Sequence, residues 1–186
     1  MSSDQILIVC TANVCRSPFV EAVLRGRFSM GANPDMIVES AGTRARPGEP
    51  MAHGSAAMLR EMGIAPDPGF AARQLSPAMI ASADVILTMT REHRGQVLDL
   101  VPAALRKVLT LKELARFAPS PTTDAAPAWP EAAAGAIAER GNHREIANSL
   151  ELDLADPFGQ DREAFERMQR DVVGIVAQLR ERRLLP

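Results

Sequence analysis

Tyrosine is absent from this chain of 186 residues, cysteine occurs only at Cys10 and Cys15, and no apolar run is long enough to cross a bilayer. Each absence removes a class of explanation. Without tyrosine, control through phosphorylation of the chain's own tyrosines is excluded. Two cysteines cannot make a disulfide framework, so a reducing cytoplasm is the expected location. The apolar stretch that follows Gln5 ends by Cys10 and has no basic lead, too little for a secretion signal or a membrane anchor. There is no basic surplus either: 21 Lys and Arg face 23 Asp and Glu, a formal net charge of -2. That balance gives no electrostatic case for nucleic acid or for an anionic membrane as partner. His53, His93 and His143 share no ligand spacing, so each reads as a surface or internally satisfied histidine, and neither a metal nor a cofactor is expected. No Gly-Lys-Ser/Thr follows the first apolar run, which removes a nucleotide-binding P-loop.

What remains is the composition of one soluble globular domain, 46% hydrophobic and 24% charged. Ile6-Leu7-Ile8-Val9 is an unbroken aliphatic run of the kind that forms a strand buried on both faces. Ser17-Pro18 reads as a helix start, Ser at the N-cap and Pro at the first helical position, with Phe19, Val20, Val23, Leu24 and Phe28 on the buried face. A second strand is expected at 36–39, and a helix over 55–62 stopped by Gly63. Residues 85–89 repeat the buried-strand signature, 91–100 read as helical, and 108–111 as a fourth short strand. The last helix, about 162–182, spaces Phe165, Met168, Val172, Val176 and Leu179 three or four apart. This alternation predicts an α/β fold, a three-layer doubly wound sandwich around a four-stranded parallel sheet, in a single domain covering 1–186. Residues 118–149 break the rhythm with Pro119, Pro121, Pro127 and Pro130 and read as an insertion, either a lid or a surface element.

The run from Val9 to Pro18 carries the chemistry. Cys10 and Arg16 are separated by five residues, Thr11, Ala12, Asn13, Val14 and Cys15, and Ser17 follows, all at a strand-to-helix junction. A loop wound over a helix N-terminus turns successive backbone N–H groups towards one point, which suits a tetrahedral oxyanion. Arg16 can add a bidentate fork that a lysine could not match in geometry. A thiolate at Cys10, stabilised by the same donors, would be an in-line nucleophile, and the Ser17 hydroxyl is placed to donate to its sulfur.

This loop resembles that of the low-molecular-weight protein tyrosine phosphatases, Val-Cys-x-Gly-Asn-Ile-Cys-Arg-Ser-Pro, with Ala12 and Val14 as small changes and Thr11 at the variable place. Ser40-Ala41-Gly42-Thr43 is similar to the family's Ser-Ala-Gly-Thr element, which implies that Ser40 supports Asn13. Asp153-Leu154-Ala155-Asp156-Pro157 is similar to its Asp-x-x-Asp-Pro loop, which implies Asp156 as general acid, with Asp153 the weaker candidate. The resemblance thus implies a flavodoxin-like fold and a phosphatase acting through a cysteinyl-phosphate intermediate. Catalysis would fall to Cys10, Arg16 and Asp156, and substrate binding to residues 11–15, Ser17, Arg46 and Phe158. The substrate would be a phosphotyrosine protein or a small aryl phosphate, and the enzyme a monomer or weak dimer.

Departures from the family pattern carry their own expectations. Ala12 stands where Gly is usual and would be strained at positive φ. Phe70 stands where many relatives place a histidine that joins the loop network, so that support is lost or rerouted. Arg46 falls at a pocket-wall position, where it can stack on a phenyl ring or meet a second anion. Cys15 reads either as a structural thiol or as the partner that traps Cys10 in a disulfide under peroxide. Two rival functions share the loop. One is a thiol-coupled arsenate reductase, disfavoured because no cysteine follows Cys15, and the other a phosphate-binding regulatory module without catalysis.

Overall fold

The computed structural model describes residues 4–30, 35–121, 126–147 and 149–186. Four parallel strands, β1 (Gln5–Cys10), β2 (Ile37–Gly42), β3 (Val85–Thr88) and β4 (Val108–Thr110), lie in the order β2-β1-β3-β4. Among the described residues eight helices accompany them: α1 (Arg16–Ser29), α2 (His53–Glu61), α3 (Pro77–Ser82), α4 (Arg91–Leu100), α5 (Leu111–Phe117), α6 (Trp129–Asn142), α7 (Arg144–Ala147) and α8 (Arg162–Glu181). Short 3-10 turns lie at Pro102–Arg106 and Leu150–Leu152.

Because side chains alternate across a strand, the aliphatic run of β1 feeds two cores at once. Ile6, Ile8 and Cys10 join α1, α2, α5, α6 and α8 on one face, around Phe19, Leu24, Met58, Leu59, Trp129 and Leu179. Leu7 and Val9 face the other way, onto Ile80 of α3, Val97 of α4 and Ala104. The expected three-layer α/β fold with a four-stranded parallel sheet is therefore the observed one.

Several boundaries move, each for a physical reason. β2 runs on from Glu39 to Gly42, because Ser40, Ala41 and Gly42 pair in register with Ile8, Val9 and Cys10. β4 ends at Thr110, whose side chain and Glu113 form a capping box that starts α5 at Leu111. α2 spans His53–Glu61, and Gly63 at φ +73 supplies the left-handed stop after it. The larger correction concerns α1, which begins at Arg16 with Cys15 at the N-cap, two residues earlier than Ser17-Pro18 suggested. Ser17 does not cap, since its hydroxyl is engaged behind the loop.

Residues 118–149 hold α6, whose Trp129, Ala132, Ala133 and Ala136 are buried in the same core as α1 and α8. Trp129 donates its indole N–H to Leu184 O at 3.1 Å and meets Phe28 edge to face. Arg140 of α6 and Arg94 of α4 both pair with the fully buried Glu113, tying α6 to the end of the sheet. Among the described residues no helix is long and apolar enough to cross a membrane.

Candidate active site

In a doubly wound sheet, the gap where the chain changes direction opens beside the carboxyl ends of the strands. Here it lies between β1 and β3. The loop that leaves β1 bends over this gap, and its carbonyls are bound from outside. Thr43 N–H donates to Cys10 O at 2.9 Å, Arg44 N–H to Thr11 O at 2.9 Å, Arg46 N–H to Ala12 O at 3.2 Å and Ala52 N–H to Val14 O at 2.7 Å. Across a trans peptide the N–H points opposite to the carbonyl, so these outward carbonyls leave the amides of Thr11, Ala12, Asn13 and Cys15 turned inward. The single positive φ of the loop falls on Asn13, at 57°, and not on Ala12. Ala12 is thus spared the strain expected of it, and Asn tolerates the left-handed region better than most residues.

Gly42 explains how the loop can lie so close to β2. A Cβ there would stand 2.4 Å from Thr11 O and 2.9 Å from Asn13 N. Only a glycine lets the two backbones pass.

Behind the loop runs a directional hydrogen-bond chain. Asn13 Nδ2 donates to both Ser17 Oγ at 2.9 Å and Ser40 Oγ at 2.8 Å, while Asn13 Oδ1 accepts from Arg73 N–H at 2.7 Å. Each serine is left with its own proton to give. Ser40 donates to Glu21 Oε2 at 2.5 Å, and Ser17 lies 3.0 Å from Cys10 Sγ, to which it can donate. Glu21 is buried on α1; burial raises its pKa, partly offset by the Ser40 hydrogen bond and by Arg25. The serine-asparagine network thus closes on Glu21 and the Arg73 backbone, while Phe70 packs against Val14, Cys15 and Ala72.

Arg16 is 4% exposed, and its guanidinium crosses the mouth of the loop. Nη1 donates to Leu154 O at 3.2 Å, Nη2 to Thr11 Oγ1 at 3.3 Å and to Asp156 Oδ2 at 2.5 Å. Its Nε is buried without a hydrogen-bond partner among the described residues. A buried cationic N–H left unpaired is costly, and an anion at the loop would satisfy it.

The loop that carries Asp156 is held from both sides. Leu154 N–H donates to Met89 O at 2.8 Å, and Asp153 accepts from the Arg91 N–H at 2.8 Å while pairing with its guanidinium. Asp153 is therefore a latch on the first turn of α4. Asp156 turns the other way: Oδ1 accepts from Phe158 N–H at 3.1 Å, which aims Oδ2 at Arg16.

The resulting cleft of about 240 Å³ is lined by Cys10, Thr11, Ala12, Val14, Cys15, Arg16, Arg44, Arg46, Asp156 and Phe158. Arg46 stacks over the Phe158 ring at 5.1 Å and reaches Glu49 at 3.5 Å. Asn13 and Ser17, placed among the substrate-binding residues from sequence, are fully buried beneath the loop, where they brace it. No described residue of 118–149 lines the cleft. The Cys15 thiol is pushed up to about 12, by burial first and then by the charges of Asp156 and Cys10. Among the described residues no group of His, Cys, Asp or Glu is arranged to hold a metal.

Sequence reasoning missed Arg44, His93, Gly42 and Glu21. The last left a trace, a lone acid among the apolar positions of α1. His93 left none, because its contact with Thr11 spans 82 residues of chain.

The model of the family "Low molecular weight phosphotyrosine protein phosphatase" matches residues 5–125. The low molecular weight protein-tyrosine-phosphatase Etp of Escherichia coli (strain K12) is 35% identical over 106 residues, 57% of this chain and 68% of that protein. The protein-arginine-phosphatase of Geobacillus stearothermophilus is 26% identical over 178 residues, 96% of this chain and 95% of its own. The solved YwlE arginine phosphatase from Geobacillus stearothermophilus superposes with a TM-score of 0.68 at 27% identity, covering 95% of this chain and 90% of the other. A low molecular weight protein tyrosine phosphatase from T. tengcongensis, at 24% identity and a TM-score of 0.70 over 96% and 99%, shares the fold.

Proposed function

The chain belongs to the low molecular weight phosphotyrosine protein phosphatase family, and from that premise we propose that it hydrolyses phosphotyrosine, or another aryl phosphate monoester, through a phosphocysteine at Cys10. The observation that carries the reading is the convergence of three residues on one cleft: Cys10, Arg16, whose buried Nε has no partner among the described residues, and Asp156. The phosphate dianion would sit against the inward amides, with Arg16 forking two of its oxygens. Cys10 attacks phosphorus as the thiolate, the bond to the leaving oxygen breaks, and protonated Asp156 gives that oxygen its proton. Asp156, now a carboxylate, takes a proton from the water that attacks the phosphocysteine. Sulfur then leaves as the thiolate, stabilised by the Ser17 hydroxyl 3.0 Å away.

A second reading, phosphoarginine as substrate, is favoured by coverage, since the arginine phosphatase relative aligns over 96% of this chain. The lining of the cleft supports the aryl substrate instead. Ala12, Val14 and Phe158 offer apolar walls, while Arg44 and Arg46 stand at the rim, where a cationic guanidinium would be repelled. Thiol-coupled arsenate reduction needs a second reactive thiol, and Cys15 is buried with its proton held up to about 12.

The test is turnover of phosphotyrosine and phosphoarginine peptides by wild type and Cys10→Ser, with arsenate reduction alongside. Phosphotyrosine turnover abolished in Cys10→Ser is the expected result. Turnover that survives the substitution would overturn the mechanism. A wild type inert on both peptides would favour the binding module.

A further inference from the structure

His93 lies on α4, across the β1/β3 gap from the loop, and is 4% exposed. Its ring joins two hydroxyls: Nε2 is 2.8 Å from Thr11 Oγ1, at the wall of the cleft, and Nδ1 is 2.8 Å from Thr90 Oγ1, the N-cap of α4. Burial first, and then the Arg16 charge, lowers its pKa to about 4, against a smaller raising effect of Asp153 and a further lowering by Arg44. At neutral pH the ring therefore carries one N–H, and the question is which nitrogen holds it.

Counting protons shows what each choice leaves free. Thr90 Oγ1 already accepts from the His93 backbone N–H at 3.3 Å, and Thr11 Oγ1 accepts from Arg16 Nη2 at 3.3 Å. With the proton on Nδ1, the ring donates to Thr90 and accepts from Thr11, and the surplus hydroxyl proton belongs to Thr90, away from the cleft. With the proton on Nε2, the ring donates to Thr11 and accepts from Thr90. The surplus proton is then that of Thr11, at the cleft wall, where an oxyanion would accept it.

We propose that His93 is a positioning residue: when an oxyanion enters the loop, the ring takes its Nε2–H form and turns the Thr11 hydroxyl into a further donor to that anion. The ring stays neutral throughout. One proton leaves Nδ1 and one arrives at Nε2, both exchanged with water. The proposal rests on reading the loop as an oxyanion site, and adds to it a residue that never touches the anion.

The experiment is titration of the ¹⁵N-labelled protein with inorganic phosphate at neutral pH, following the imidazole nitrogens of His93, with His53 and His143 as internal references. As phosphate saturates, Nε2 should move towards the protonated and Nδ1 towards the unprotonated range. In Thr11→Val, which keeps the shape of the side chain, phosphate should bind about tenfold more weakly. There the tautomer shift should vanish. His93→Gln, able to donate an N–H to Thr11, should retain more affinity than His93→Ala. Saturation with a constant His93 tautomer ratio, or Thr11→Val binding as tightly as wild type, would overturn the proposal while leaving the phosphatase reading intact. A wild type that binds no phosphate would remove the oxyanion site, and the proposal with it.

Discussion

Arg16 Nη2 lies 2.5 Å from Asp156 Oδ2, so the proposed anion clamp and the proposed acid are already in contact across the mouth of the loop. In the proposed mechanism an entering phosphate takes over the guanidinium, and in doing so it releases the carboxyl group towards the leaving oxygen. Asp156→Asn removes the transferable proton and weakens the competition for Arg16. Turnover of aryl phosphates with poor leaving groups should fall by about 10² to 10⁴, and by less where the leaving group needs no proton. Inorganic phosphate should bind at least as tightly as to wild type. A loss of turnover independent of the leaving group would remove Asp156 from the acid role.

The close approach of Gly42 to the loop makes a second prediction. A methyl at this position meets backbone, Thr11 O at 2.4 Å, and backbone cannot rotate aside as a side chain can. Gly42→Ala should destabilise the fold by about 1 to 3 kcal/mol, read from chemical denaturation. It should also weaken phosphate binding, because the displaced peptides are those that carry the inward amides. Unchanged phosphate affinity would show that the loop does not depend on this contact.

The parts of the molecule that were legible in the sequence are those in which neighbouring residues cooperate. The aliphatic run of residues 6–9 fixes a central strand because both of its faces are buried, and Cys10 and Arg16, with five residues between them in sequence, do line one cleft. Ser17 reads as a cap because Ser-Pro has that meaning locally, whereas its hydroxyl meets only the other half of the expectation, the contact with Cys10, and accepts from Asn13, a contact the local pattern does not contain. Arg44, His93 and Gly42 were invisible for a related reason. Their roles depend on β2 and β3 lying beside β1, which no short motif encodes. Residues 118–149 looked irregular because of their prolines, yet α6 buries Trp129 in the main core.

Acid should expose the burial of His93. The unfolded histidine binds a proton below about 6.5, the folded one only below about 4. Between those values the unfolded chain holds more protons, so stability is complete above pH 6.5 and is lost as pH falls towards 4. The full effect is on the order of 3 kcal/mol. Arg16 and Arg44 deepen it and Asp153 opposes it. His93→Gln should flatten this part of the stability curve relative to wild type. Parallel curves for the two proteins would show that His93 does not titrate in this way.

At the rim, Arg46 stacked on Phe158 forms one wall of the cleft, and Arg44 stands beside it. Arg46→Ala should narrow the preference for aryl over alkyl phosphates, mainly through KM, because the chemical groups below the rim are untouched. Phosphopeptides with acidic residues next to the phosphorylated position should lose more than neutral ones, and the difference should shrink in high salt. Selectivity indifferent to Arg46→Ala would place this side chain outside the substrate's path.

Trp129 decides whether residues 118–149 serve the fold or the substrate. Its indole is 1% exposed, packs on Phe28 and gives its N–H to Leu184 O, while no described residue of 118–149 lines the cleft. Trp129→Ala removes a large buried ring and strands a carbonyl, a loss of about 3 to 5 kcal/mol, which for a chain of this size lowers Tm by roughly 10 °C. At a temperature well below the new Tm, kcat and KM for an aryl phosphate should stay close to wild type, since the loop, Arg16 and the acid loop are held by other contacts. Trp129→Phe should recover much of the stability, because the ring packing returns without the hydrogen bond. The opposite pattern, an altered KM with Tm unchanged, is what a lid would give, and it would assign this segment to the substrate after all.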